Sequence, residues 1–414
     1  MNNDKQNIRI LLIGAGGYGK GYVDALCGAA GAGHAPYRVA GAVEPSREAR
    51  AYAAERNIPL FDDAGAFYKD NGAELAIIST PIHLHFAQII ECLKNGSNVL
   101  CEKPLCVTLA EAREIERASA EAGRFVRVGY QLSFSTSVLA LKNDILNGAF
   151  GKPLILKTIV HYPRGSAYYA RNNWAGRKRT ADGRLVLDSP LHNAVSHHIN
   201  NMLFVLGGAA DAAAAPLSVQ AELYRGNPDV DNYDTAALRC EMENGAQILF
   251  YTSHSMPRSD NAGPICQYRF ERASVVHTDE REHETFLAMM DDGTTRLYMP
   301  DGAGQMRKLW DCLEAARGGP LPPSGVSAAA QEVLCVNGAQ LSHPIVTIPE
   351  EYIERTGEPG DRYTEVDGLE RILFDCFNRN LLPSELEGGV RPPWTKAGKV
   401  VSAGDIRGFG FDTL

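Results

Sequence analysis

Along the first 130 residues, short apolar runs alternate with longer segments that are apolar on one face only. Residues 8–13, 39–43, 75–78, 99–101 and 125–128 are apolar runs of strand length, and 18–26, 46–56, 83–95 and 108–122 have the length and one-sided polarity of crossover helices. A strand without a polar face needs cover on both sides, so this alternation predicts a doubly wound parallel sheet. Gly96 and Gly123 stand where two of those helices should end, as a residue that tolerates left-handed backbone does.

After Ser133 the rhythm changes. Runs at 154–161, 219–224, 236–242, 246–254 and 265–270 follow one another without regular crossover helices, which predicts a mostly antiparallel sheet. Two late helices, 306–317 and 326–341, are separated by the breakers Gly318-Gly319-Pro320-Leu321-Pro322-Pro323 and are expected to brace the second domain. Residues 356–363 look like loop, and the tail after Gly388 is rich in Gly and Pro. The chain is thus expected to be α/β with two domains, 1–130 and 131–414. The second should carry a large open sheet with one face free for self-association, giving a homo-oligomer, a dimer or a tetramer.

Composition narrows the function. The 414 residues are 44% apolar and 22% charged, and 41 Lys and Arg against 50 Asp and Glu leave a net charge of −9, so nucleic acid and anionic membrane are poor partners. No run approaches the roughly 18 apolar residues of a membrane span, and residues 1–9 lack a signal-peptide core. Nine cysteines without a C-x-x-C read as reduced, packed thiols in the cytoplasm, and Cys101 and Cys106 make a poor metal site, so no metal is expected.

The chemistry sits at strand ends. Gly14-Ala15-Gly16-Gly17-Tyr18-Gly19 directly follows the first strand and fits G-x-G-x-x-G, where Gly14 allows the tight turn, Gly16 lets a pyrophosphate approach and Gly19 lets the helix pack on the strand. The helix start then offers N–H groups and a positive dipole end to phosphates. Glu44 closes the second strand, where a carboxylate can take the adenosine ribose hydroxyls and repel a 2′-phosphate. NAD is therefore expected, with NADP admitted only if Ser46 and Arg47 hold that phosphate. Thr80 and Pro81 end the third apolar run and should shape the floor under the nicotinamide half. His83 and His85 follow, two apart and so on different helix faces. Glu102-Lys103-Pro104 ends the fourth run, where a lysine can stabilise a developing alkoxide.

These motifs, with Val128-Gly129-Tyr130-Gln131, together resemble the Gfo/Idh/MocA oxidoreductases. The resemblance implies a Rossmann domain, a nicotinamide cofactor, and sugar or cyclitol chemistry. It points to Gly14, Gly16, Gly17, Tyr18, Gly19, Glu44, Thr80, Pro81, His85 and Glu102 as cofactor residues, with Lys103 catalytic. It also implies an Asp-x-x-x-His signature in the second domain, for which residues 187–200 offer two registers, Asp188/His192 and Asn193/His197.

Ser189 and Pro190 read as N-cap and N1, leaving Asp188 outside the helix. On one continuous helix Val195, Ile199, Met202 and Leu206 form a core stripe with His192 near it, while Asn193, His197 and Asn200 lie opposite. That favours His197 as the proton-transfer group, its ordinary pKa of about 6.5 suiting it to neutral pH. Asn193 then stands where an aspartate is usual and can only orient. Lys103, Asn193 and His197 are expected to converge on one substrate oxygen. The polar, aromatic loop before this helix offers Tyr162, Tyr168, Tyr169, Trp174 and Arg177, and Gln131 adds a further polar tip, as substrate contacts suited to a sugar. The reading is an NAD(P)-dependent oxidoreductase acting on a secondary hydroxyl of a sugar, glycoside or cyclitol. A glycosidase using NAD for transient oxidation and a non-catalytic dinucleotide sensor are the alternatives.

Overall fold

In the computed structural model, which describes residues 7–31, 37–277 and 284–410, the first apolar run becomes β1 (Ile8–Ile13), buried almost throughout. There follow α1 (Gly19–Gly31), β2 (Tyr37–Val43), α2 (Arg47–Ala54), β3 (Leu60–Phe61), α3 (Ala64–Asp70), β4 (Leu75–Ile78), α4 (Ile82–Lys94), β5 (Asn98–Cys101), α5 (Leu109–Ala122) and β6 (Val126–Val128). The strands pair in parallel in the order β3-β2-β1-β4-β5-β6. The order reverses between β1 and β4, which puts the ligand crevice of such a sheet at the carboxyl ends of these strands. Gly96 (φ 80°) and Gly123 (φ 59°) follow α4 and α5 in left-handed conformation, as their position in the sequence suggested.

The chain continues with α6 (Thr136–Leu146), β7 (Pro153–His161), α7 (Ser166–Ala170), α8 (Ser196–Val205), β8 (Pro216–Arg225), β9 (Thr235–Met242), β10 (Gln247–Ser253), β11 (Ala262–Phe270), β12 (Ala273–His277), β13 (Phe286–Met290) and β14 (Thr295–Tyr298). Beyond these come α9 (Arg307–Ala316), α10 (Val326–Ser342), β15 (Val346–Thr347), β16 (Ile353–Glu358), β17 (Asp361–Val366), α11 (Leu369–Arg379), β18 (Val401–Ser402) and α12 (Ala403–Gly408). The second sheet has ten strands, β14-β13-β12-β11-β7-β10-β9-β8-β15 with β18 also on β8. It is antiparallel except at β7–β10 and β8–β15, so it is mixed and mostly antiparallel.

Two compact units result. The first takes the described residues up to Cys106, Ala110–Phe134 and Gly302–Ala329; the second takes Val107–Leu109, Ser135–Asp301 and the residues from Ala330 onward. The helix expected to brace the second domain, now α9, belongs to the first. Its Leu309, Cys312 and Leu313 are packed into one core with Ile8, Ile10, Leu12, Tyr22 and Leu26, because the apolar stripe of α9 complements the face of the parallel sheet.

The expected free face of the second sheet also needs correction. Neighbours on a strand point to opposite faces, and on β7 Thr158 meets Met202 of α8 (Oγ1 to Sδ 3.3 Å) while Ile159 lies in one core with Leu369, Ile372, Leu373 and Phe377 of α11. Lys157, on the Ile159 face, donates to Phe377 O at 2.7 Å. Helices of this same chain therefore cover both faces at β7 and β10. Toward the β14 edge, Met289 and Leu297 remain exposed. Residues 356–363, expected as loop, fall in the antiparallel hairpin β16–β17, whose turn places Gly360 at φ 101°.

Candidate functional site

In the first unit the chain turns immediately after β1. Gly14 has φ 90°, and a Cβ there would lie 2.3 Å from Ser79 O; a Cβ on Gly19 would lie 2.3 Å from Gly14 O. Only glycine fits either place, which packs the start of α1 directly onto the turn. Gly17 (φ 50°) faces open space, its Cβ meeting nothing within 4 Å. Glu44, just past β2 and 6% exposed, holds this loop: its Oε2 accepts from Ala15 N–H (2.8 Å) and Gly16 N–H (2.9 Å), its Oε1 from Ser46 N–H (2.8 Å). The expected ribose carboxylate thus already anchors the glycine turn. An uncovered glycine backbone at the N-terminus of a 13-residue helix, beside a fixed carboxylate, fits a dinucleotide.

Past β4, Thr80 donates through Oγ1 to Gln88 Oε1 (2.6 Å), and Pro81 occupies the N-cap position of α4. His85 is fully buried. Its Nδ1 lies 2.8 Å from Pro104 O and its Nε2 2.9 Å from Thr80 O, so the ring ties the loop after β4 to the loop after β5. That makes it a brace between the two loops.

Glu102 opens the second of these loops, and a residue that the sequence did not single out controls it. Lys308 of α9, wholly buried, places Nζ 2.5 Å from Glu102 Oε1, 3.1 Å from the Tyr18 hydroxyl and 3.3 Å from Gly129 O. Tyr22 donates to the same Glu102 oxygen at 2.6 Å, and Lys103 N–H reaches Oε2 at 3.2 Å. Burial would raise the Glu102 carboxyl, but the Lys308 ammonium and the Tyr22 hydroxyl outweigh it and hold it below the ordinary carboxylate value. Burial would likewise lower Lys308, and Glu102 keeps it above the usual lysine value. Glu102 is therefore an internal ion-pair partner, and Tyr18, 43% exposed, is tied to it through Lys308. A lysine on an amphipathic helix reads as solvated, so no local signal marks Lys308. Lys103 is half-buried at the end of β5, and Gln131, also half-buried, begins a short 3-10 turn after β6.

In the second unit Ser189 caps a helical turn as expected, its Oγ accepting from His192 N–H at 3.3 Å with Pro190 next. The helix does not run on. Pro190–Ala194 is one turn of π-helix, and Val195 (φ −118°, ψ 11°) separates it from α8, so a single 100° wheel does not apply across residues 190–205. Asn200, placed by that wheel on the polar face, is 2% exposed, because α8 is buried nearly all round. His192 is fully buried with Nδ1 3.3 Å from Glu332 Oε1, whereas Asn193 and His197 are partly exposed. His198 is packed at 8% exposure.

The two registers meet at Asp188. Its Oδ1 accepts from Asn193 Nδ2 (2.8 Å) and its Oδ2 from Gly176 N–H (2.6 Å). Burial pushes the Asp188 carboxyl up, against the pull of the Gly176 N–H and the Asn193 amide. The amide at 193 is thus the donor that a neighbouring buried carboxylate requires. Of the loop residues, Arg177 accepts through its carbonyl from Asp188 N–H (2.9 Å), Trp174 is half-buried beside Arg171, and Tyr162 lies under Arg164. Tyr169 is buried with its hydroxyl 2.9 Å from His254 Nδ1. All nine cysteines are free thiols, eight of them buried. Among the described residues no helix is long and apolar enough to cross a membrane.

The family model for an oxidoreductase family with an NAD-binding Rossmann fold matches residues 8–130, and the model of the GFO/IDH/MocA C-terminal domain matches residues 138–276, together more than half the chain. An inositol 2-dehydrogenase of Rubrobacter xylanophilus is 30% identical over 164 residues, 38% of this chain and 45% of that one, so the match spans under half of that enzyme. A 2,7-anhydro-N-acetylneuraminate hydratase of Mediterraneibacter gnavus is 25% identical over 63% of this chain and 69% of its own. The WlbA dehydrogenase of Bordetella pertussis, solved with NADH and UDP-GlcNAcA, superposes with a TM-score of 0.66 at 19% identity over 81% of this chain and 97% of that one. Levoglucosan dehydrogenase, solved with NADH and levoglucosan, gives 0.66 at 21% over 81% and 98%. At such identities these structures speak for the fold.

Proposed function

Because the chain belongs to the Gfo/Idh/MocA oxidoreductase family, we propose that it oxidises a secondary hydroxyl of a sugar, glycoside or cyclitol with NAD. The observation that carries this reading is Lys103, half-buried at the carboxyl end of β5 where such sheets take their ligands, on a loop whose Glu102 is fixed by Lys308, Tyr22 and the Lys103 N–H. Gly14, Gly16, Gly17 and Gly19 hold the pyrophosphate, with Glu44 stiffening their turn and favouring NAD over NADP by its charge. Bound nicotinamide dinucleotide supplies a hydride acceptor. His197 takes the hydroxyl proton, Lys103 offers positive charge to the developing alkoxide, and Asn193, held by Asp188, orients. Gln131, Tyr162, Trp174 and Arg177 contact substrate. A relative whose name records inositol as its substrate supports the polyol class. The buried free thiols suit a reducing, cytoplasmic setting.

The test is a screen of the NAD-loaded protein against free sugars, cyclitols and aryl glycosides. NADH formation from a sugar or cyclitol supports the reading. Aryl release without NADH would replace it with a redox-neutral glycosidase, and tight NAD binding with neither product with a sensor.

A further inference from the structure

Residues 164–184 hold six cations, Arg164, Arg171, Arg177, Lys178, Arg179 and Arg184, and one acid, Asp182, in a chain whose net charge is −9. Arg184 pairs with Asp182. Two of the others converge on one ring: the guanidinium carbon of Arg171 lies 3.5 Å, and that of Arg164 4.9 Å, from the centre of Tyr168. Stacking of this kind fixes the plane of a guanidinium without using up its N–H donors. Arg164 is also fixed at its backbone, its N–H donating to His254 O at 3.1 Å, and its Nε is buried with no hydrogen-bond partner among the described residues. Neither arginine forms an ion pair among the described residues. Asp188, whose field reaches Arg171, has its oxygens on the Gly176 N–H and the Asn193 amide. His254, beneath the pair and bonded to Tyr169, is held neutral first by burial and then by the fields of both arginines. No positive charge from that side chain is spent here, and the neighbouring carboxylates are engaged elsewhere, Asp188 as described and Asp361 on the Ala167 N–H at 3.1 Å, so neither closes an ion pair with Arg164 or Arg171.

We propose that Arg164 and Arg171, aligned by Tyr168, bind an anionic group of the substrate, a carboxylate or a phosphate ester, and so select an acidic sugar derivative over its neutral counterpart. Asp188 links this anion site to the proposed chemistry, since one of its oxygens holds Asn193 and the other the Gly176 turn that follows Trp174. Naming the ligand a sugar rests on the proposed function; the anion site does not.

The experiment is calorimetry on the full chain loaded with NAD, titrated with D-glucose, D-glucuronate and glucose 6-phosphate, alongside a readout of NADH. A guanidinium clamp on an anion is worth on the order of tenfold to a hundredfold in affinity. At least one acidic ligand should therefore bind at least about tenfold tighter than glucose and weaken with added salt. Glucuronate leading identifies a carboxylate, the phosphate ester leading a phosphate. In Arg171→Gln, and separately in Arg164→Gln, that preference should collapse, and Arg171→Lys should restore it only in part, because lysine cannot present two parallel donors. Equal binding of the three ligands, no binding of any, or a preference that survives both glutamine variants overturns the anion site. NADH from neutral sugars with no acid preference would leave the oxidoreductase reading standing while removing this one. An arginine-dependent acid preference without NADH from any sugar would do the reverse.

Discussion

Replacing Lys308 by Met should destabilise the first unit in a way that depends on pH with a particular sign. The ammonium and carboxylate are 2.5 Å apart, and the lysine side chain is wholly buried. At an effective dielectric of about 20 their attraction is roughly 7 kcal/mol, much of it offset by the desolvation of both groups. Removing one partner strands the other, which costs about 3–5 kcal/mol. In the native protein Glu102 is held below its ordinary value, so its contribution is present above about pH 4.3 and is lost as pH falls through the lowered pKa. Lys308 is held above its ordinary value, so its contribution is present below about pH 10.4 and is lost as pH rises through the raised pKa. In Lys308→Met, burial acts on Glu102 without the ammonium and raises its folded pKa. The deficit against wild type is then full above that raised value and fades toward about pH 4.3, below which the variant's carboxyl is protonated both folded and unfolded. Hydrogen exchange of peptides covering residues 98–106 and 305–316, corrected for intrinsic rates at about pH 7 and about pH 5, reads this locally without assuming that both units unfold together. Glu102→Gln combined with Lys308→Met should recover most of the loss. A deficit below about 1 kcal/mol, or one that does not shrink at the lower pH, would refute the buried-pair argument.

Gly14→Ala forces a Cβ to 2.3 Å from Ser79 O at φ 90°, whereas Gly17→Ala meets no atom within 4 Å. Calorimetry should show NAD binding abolished in the first and weakened far less in the second, whose backbone strain costs about 1 kcal/mol. Wild type should bind NAD more tightly than NADP, and Arg47→Ala should widen the gap; equal affinities in wild type would show that Arg47 outweighs Glu44. Asn193→Asp, although it supplies the aspartate that the family resemblance implies at this position, sets a second carboxylate beside Asp188 at hydrogen-bond distance, so one of the two must stay protonated. That variant should gain no turnover and should be less stable at about pH 8 than at about pH 5, as a thermal-shift series would record.

The parallel sheet was legible because β1, β4 and β5 are apolar on both faces, a pattern few other environments demand. Two residues of β3 and seven of α3 are too short for periodicity to show. The hairpin β16–β17 escaped because Glu354, Arg355, Glu358, Arg362 and Glu365 put charge on both of its faces, leaving no alternation. Helix α11, which covers the sheet face expected to be free, did carry a readable signal in Leu369, Ile372, Leu373 and Cys376 at helical spacing. The glycine turn and Glu102-Lys103-Pro104 could be read from local sequence. What holds them could not: Lys308 is 206 residues from Glu102, and pairing over that separation leaves no local trace. The contrast between His192 and His197 came out as the helical wheel suggested, one buried and one partly exposed, even though the wheel is broken at Val195.

In the proposed reaction His197, and not His192, takes the proton while Lys103 stabilises the alkoxide. The direct measurement is steady-state NAD reduction on the best substrate of the screen by wild type, Lys103→Ala, His197→Ala and His192→Ala, with NAD affinity determined for each. Lys103→Ala and His197→Ala should each lose on the order of 10²-fold or more in turnover and keep their affinity for NAD. His192→Ala, which leaves Glu332 buried without its partner, should lose roughly 1–3 kcal/mol of stability and retain most of its turnover. A folded His192→Ala without turnover beside an active His197→Ala would contradict the account and assign the chemistry to Asp188 and His192.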